Sequence, residues 1–126
     1  MTDMSDIFGD VISSYSRAQA IEDGVLVDVT ETAKEAGFKH NTCLTSAVWA
    51  EYVELKPGYK GFESQSGRLW DVLFMASAAA RMAAQGGKNE LTYELRVSRK
   101  RVTLKLHIGP GDLAEPVITI MKPEED

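Results

Sequence analysis

Two adjacent runs near the C-terminus alternate strictly between apolar and polar side chains. Leu91, Tyr93, Leu95 and Val97 interleave with Thr92, Glu94 and Arg96; Val102, Leu104, Leu106 and Ile108 interleave with Thr103, Lys105 and His107. Successive strand side chains point to opposite faces, so this pattern calls for an antiparallel hairpin with one buried face. Pairing Val97 with Val102 sets Glu94 opposite Lys105 and Thr92 opposite His107, and facing opposite charges favour that register. The connection Ser98-Arg99-Lys100-Arg101 contains no Gly, Asn or Asp. A primed two-residue turn on Arg99-Lys100 would hold both in left-handed backbone, so a looser loop is expected. Gly109-Pro110-Gly111-Asp112 reads as a second turn. Residues 117–121 follow as a third strand, apolar except at Thr119 and therefore interior.

One apolar sheet face needs a cover. Residues 68–85 supply the longest helix, ended by Gly86-Gly87. Leu69, Val72, Leu73, Ala76, Ala79, Ala80, Ala83 and Ala84 share a broad face at 100° per residue. Trp70, Phe74, Met75 and Met82 lie on the other side, which predicts a central helix covered on more than one side. Before it, residues 13–24 predict a short helix capped by Ser14 or Ser16 and ended by Gly24. Residues 25–29 predict a strand joining the sheet edge. Thr30 opens a second helix closed by Gly37, residues 38–44 are ambiguous but can be extended, and Thr45 caps a third helix. Val48, Trp49, Tyr52 and Val53 form its apolar face, and Pro57-Gly58 stops it. Residues 56–67 form a loop.

The predicted fold class is α+β. A single domain spans residues 1–126, with helices mostly N-terminal and a long central helix on a C-terminal antiparallel sheet of three or more strands. Parallel α/β is disfavoured because the β runs cluster late. Residues 1–6 and 122–126 are expected to be loose tails.

Net charge is −5 at pH 7. Residues 1–55 hold ten acids and three bases, a balance of −7, and residues 56–126 hold eleven bases and nine acids, a balance of +2. The acidic total argues against a general nucleic-acid binder and is too dilute for a mimic of duplex phosphates. The start, Met-Thr-Asp-Met-Ser-Asp, lacks the basic and apolar character of a secretory signal. The most apolar stretch, residues 69–84, is too short to span a bilayer and contains Asp71 and Arg81. A cytoplasmic protein without membrane contact is expected. With one cysteine, no intrachain disulfide forms.

The segments SYSRAQAIEDGVLVDVTETAKEAGF, GRLWDVLFMA and VTLKLHIGPGDLAEPVITIM carry a resemblance. The chain resembles, from about residue 7 to residue 124, a bacterial family of unknown function whose small members are carried on plasmids, integrated elements and phages. Variation is expected at residues 56–65. The resemblance implies no catalytic residue. It implies the context of accessory genes on mobile elements, which often encode modulators of host machinery, including CRISPR and restriction defence.

Five constellations each have a plainer reading. Arg96, Arg99, Lys100, Arg101 and Lys105 crowd the hairpin tip as a candidate contact for phosphates or an acidic protein surface. Their plain role is to keep strands from sticking to each other, and no interleaved aromatic supports base stacking. Arg68 and Asp71 flank Trp70 as a possible polar site, the plainer reading being an ion pair within one helix. His40 and Cys43 could form an activated thiol, against the commoner buried Cys. One Cys and two His leave zinc without a ligand set, so neither a metal nor another cofactor is expected. Thr30–Gly37 looks like the opening of a helix-turn-helix, but Val48, Trp49, Tyr52 and Val53 then suit a core rather than base edges. The acids of the first half, Asp3, Asp6, Asp10, Glu22, Asp23, Asp28, Glu31 and Glu35, are mostly solvated surface. They form a docking patch only if Glu31 and Glu35 share a face with Glu22 and Asp23.

The favoured function is a non-enzymatic binding protein of a mobile element, an anti-defence inhibitor docking by charge complementarity onto a host or element protein or nucleoprotein complex. The alternatives are a small enzyme using Cys43 or Asp71, which requires a cleft around those side chains, and a helix-turn-helix regulator.

Overall fold

The structure is a computed structural model and describes residues 15–83 and 89–125. The expected cap Ser14, the helix end at Gly86-Gly87, the residue 1–6 tail and the acids Asp3, Asp6 and Asp10 lie outside them.

Ser16 caps the first helix, α1 (Arg17–Glu22), its hydroxyl accepting from Gln19 N–H, and Gly24 ends it with φ +80°. Strand β1 (Leu26–Asp28) follows. Asp28 then accepts from the Thr30 N–H and hydroxyl, opening α2 (Thr30–Glu35). Gly37, with φ +112°, turns the chain into β2 (Asn41–Thr45). The segment read as ambiguous is thus a strand, and it runs parallel to β5.

Thr45 caps α3 (Ser46–Val48), which widens into a π-helical turn, Trp49–Val53, closed by Glu54 N–H to Trp49 C=O. The wider turn explains the burial. Val48 and Val53 are five apart and both wholly buried, whereas regular α spacing would have favoured Tyr52, which is half-buried.

The long helix, α4 (Gln65–Ala83), starts three residues earlier than expected. The strands β3 (Glu90–Val97), β4 (Lys100–Pro110) and β5 (Pro116–Met121) complete a five-stranded sheet in the order β1-β2-β5-β4-β3. Strand β1 sits at the edge and β5 in the interior, as the sequence implied. The sheet is mixed rather than antiparallel, because β2 reaches β5 in parallel.

Val72, Leu73 and Ala76 of α4 pack on Leu44, Leu104, Leu106, Ile118 and Ile120. Tyr93 and Leu95 extend this core, and the Tyr93 hydroxyl donates to Val72 C=O at 3.1 Å. Among the described residues, only one side of α4 is covered. Trp70 and Phe74, whose rings stack 5.8 Å apart, are exposed, as are Met75 and Met82. The expectation of a helix covered on more than one side is therefore corrected.

The C-terminal tail is anchored over its described residues. Glu125 accepts from the Thr45 hydroxyl at 2.9 Å and from Lys122 N–H at 2.8 Å, while Lys122 Nζ reaches Glu51 at 3.0 Å.

Candidate functional site: a buttressed basic hairpin

The β3–β4 register differs from the expected one by two residues. Val97 pairs with Lys100, Leu95 with Val102, Glu94 with Thr103 and Thr92 with Lys105. A two-residue slip preserves which side chains face inward, so alternation alone could not detect it. The connecting turn has two residues, Ser98 (φ 50°) and Arg99 (φ 68°), both left-handed. This is the primed geometry, one residue earlier than the Arg99-Lys100 position at which the sequence disfavours it. It matches strand twist, and ladder bonds together with a hydrogen bond to Ser98 offset its backbone cost.

That hydrogen bond comes from Arg68, whose Nη2 donates to Ser98 Oγ at 2.8 Å. Its Nε lies 2.6 Å from Glu63 Oε2. Its guanidinium carbon stands 5.2 Å above the Tyr59 ring, and the Tyr59 hydroxyl accepts from Glu63 N–H at 3.1 Å. Arg68 thus pairs with Glu63 in the preceding loop, and Asp71 stands exposed on the helix. The supposed Arg68–Asp71 polar site is replaced by a brace of Arg68, Glu63, Tyr59 and Ser98 beneath the hairpin. No sequence spacing announced Glu63 or Ser98, because the turn had to be placed first.

Above the brace, Arg96, Arg99, Lys100 and Arg101 are all exposed. Arg96 and Arg101 are directly opposed across the ladder. Arg101 Nε has Glu94 at 3.9 Å; among the described residues, Arg96, Arg99 and Lys100 have no carboxylate within ion-pair distance. Lys105 is separate from this group. Its Nζ lies 3.5 Å from Glu90 and donates to Glu125 C=O at 2.5 Å.

Cys43 is 1% exposed on β2, and His40 is exposed just before that strand. Burial pushes the Cys43 thiol up from its ordinary value; the nearby Arg17 charge opposes this and Asp28 adds to it. A nucleophilic thiolate needs the reverse shift and access. The groove of about 650 Å³ beside α1, lined by Tyr15, Arg17, Pro110 and Asp112 among others, includes neither Cys43 nor Asp71. Among the described residues, no three His, Cys, Asp or Glu side chains converge as metal ligands.

The acidic half does not form one patch. Arg17 of α1 reaches Thr119, which pairs with Cys43 on one sheet face, while Ala33 of α2 packs with Leu44 on the other. Glu22 and Asp23 therefore lie across the sheet from Glu31 and Glu35. Asp23 is also engaged locally, accepting from the Tyr15 hydroxyl at 2.6 Å and Gln19 Nε2 at 2.9 Å. The helix-turn-helix look-alike fails on topology, because β2 separates α2 from α3.

Fold and site together define a small α+β domain that presents a braced, basic β-turn. The chain belongs to a family of unknown function (DUF6573), whose model matches residues 4–126. Neither the curated proteins nor the solved structures contain a significant match. Among the described residues, no helix is long and apolar enough to cross a membrane.

Proposed function

We propose that the protein is a non-enzymatic binding module that docks the β3–β4 tip onto an acidic surface of a protein or nucleoprotein complex. One observation carries the reading. Three of the four exposed bases at the tip have no carboxylate within ion-pair distance among the described residues, on a turn braced from below by Arg68. Unpaired surface charge on a fixed turn is suited to steering and orienting an oppositely charged partner. No aromatic side chain interleaves the tip bases, which favours carboxylates or phosphates over stacked bases.

The plasmid, integrated-element and phage setting implied by the resemblance makes host defence complexes, such as CRISPR or restriction assemblies, the partners of first choice. A cytoplasmic location accords with such partners.

The test is a pull-down from host extract with wild type and with the triple variant Arg99→Glu, Lys100→Glu, Arg101→Glu, repeated after nuclease treatment. Partner capture is expected to fall at least about tenfold in the variant, with wild-type capture weakening as salt rises. Equal capture by both proteins would remove the tip from the binding surface.

A further inference from the structure

Strand β3 ends the sheet, and among the described residues no strand pairs with its outer side. Ile108 N–H donates to Asn89 C=O at 2.8 Å, so the odd-numbered residues of this segment direct backbone groups at β4. Glu90, Thr92, Glu94 and Arg96 therefore present N–H and C=O groups outward. Beside this edge runs an apolar groove of about 490 Å³, lined by Met75, Ala78, Ala79 and Met82 of α4 and by Leu91 and Tyr93 of β3. Met75 is 39% exposed and Met82 87%.

We propose that this edge pairs with the same edge of a second copy of the chain, antiparallel about a two-fold axis at Tyr93. Charge complementarity and ladder length together select the register. A ladder centred on Tyr93 sets Glu90 against Arg96 of the other copy, at both ends, and Thr92 against Glu94. Centring it on Thr92 opposes Glu90 with Glu94, and centring it on Glu94 opposes Glu94 with itself; both juxtapositions are unfavourable. Centring it on Leu95 brings turn residues into the ladder and shortens it. In the Tyr93 register, the outward groups of all four even-numbered residues find partners. Leu91 meets Leu95 of the second copy on the core side. Both α4 helices lie on that same face, so Met75 and Met82 of each copy fill the shared groove. A self-complementary edge of this kind is the isologous surface that a two-fold dimer requires. The two basic tips then stand about 40 Å apart, at opposite ends of the joined ladder.

Arg96 belongs to both this surface and the basic tip, but Arg99, Lys100 and Arg101 lie outside the ladder, so the two can be tested apart. The test is sedimentation velocity of the full chain over a concentration series. Wild type is expected to dimerise. Glu90→Lys and Arg96→Glu are each expected to raise the dissociation constant at least about tenfold, since each places like charges opposite one another at both ends. An equimolar mixture of the two variants restores both pairings and is expected to dimerise like wild type. Thr92→Pro, which removes an outward N–H and no β3–β4 bond, is expected to be monomeric. The tip triple variant is expected to remain dimeric. A monomeric wild type, a Glu90→Lys variant as dimeric as wild type, or a mixture no more associated than its components would each overturn the proposal.

Discussion

Arg68 Nη2 donates to Ser98 Oγ across 2.8 Å, tying the first turn of α4 to a hairpin tip thirty positions later. The same guanidinium holds Glu63 at 2.6 Å and sits mostly out of water. It therefore fixes three segments at once. Arg68→Gln is expected to destabilise the fold by about 1–2 kcal/mol, the usual cost of losing a charge-assisted hydrogen bond from a mostly buried site. Amide hydrogen exchange at Ser98, Arg99 and Lys100 should quicken more than at Leu104 or Leu106. Asp71→Asn is expected to stay within about 0.5 kcal/mol of wild type in a urea melt, because its exposed carboxylate braces nothing.

Arg99 holds φ at 68°, a conformation that costs a side-chain-bearing residue about 1 kcal/mol or more. Glycine adopts it freely, so Arg99→Gly is expected to raise stability by about 0.5–1 kcal/mol despite its greater freedom when unfolded. The same change deletes one of the unpaired tip charges. A variant that melts later yet captures the partner less well would separate the turn's structural cost from its binding role.

How far the sequence anticipates the structure depends on the reach of each interaction. Period-two alternation revealed β3 and β4 and their buried face. It was silent on a slip by two residues, which leaves every side chain on its own face. The register is set by the turn: Ser98 and Arg99 have no intrinsic preference for left-handed backbone, and what stabilises it, the ladder bonds and the Arg68 bond to Ser98, comes from outside the turn. The helix ends at Gly24 and Gly37 were legible because a positive φ is a local demand that glycine meets. The π turn was not, since a swap from four- to five-residue spacing emerges only when Val53 finds the core. The parallel β2–β5 contact joins residues more than seventy positions apart, and the ambiguous run 38–44 carried no sign of its partner. The four tip bases were visible as a cluster, but their separation from Lys105 needed the Glu90 and Glu125 contacts.

Cys43 offers a test through its proton. Burial first, and Asp28 in smaller part, raise its pKa above the ordinary 9.0, with Arg17 opposing. The folded chain then holds the thiol proton more tightly than the unfolded chain. The resulting stability is complete below the unfolded value and is lost as pH rises through the folded one. Stability measured by urea melts should therefore fall faster above pH 9 in wild type than in Cys43→Ala. In the native state at neutral pH, iodoacetamide should label Cys43 only as fast as the sheet opens, with labelling accelerating in denaturant. Rapid labelling of native protein would contradict the buried, protonated thiol.

Asp112 closes α1 from the far end of the sequence. Its carboxylate accepts Arg17 N–H at 2.7 Å and Ala18 N–H at 3.0 Å, and these two bonds hold its pKa below the ordinary 3.8, the Arg17 amide contributing most. A depressed carboxylate pKa means that the unfolded chain binds the proton first as pH falls. The stabilisation is therefore present above the unfolded value and disappears as pH drops through the folded one. Asp112→Ala is expected to lower the Tm at pH 7, where the carboxylate is charged in both states. The gap from wild type should narrow as pH falls below the ordinary 3.8 and on through the lowered folded value, as wild type too loses the charge. Arg17 makes the expected readout sharper still. Its guanidinium donates to Thr119 Oγ1 at 2.8 Å and Ile118 C=O at 2.5 Å, so loosening its backbone also loosens a link to the central strand. Amide exchange in α1 should accelerate in Asp112→Ala at pH 7, with a smaller rise at Thr119. A Tm gap that stays constant from pH 7 down to acid would mean that Asp112 acts through shape alone, and that its charged bonds to α1 contribute nothing.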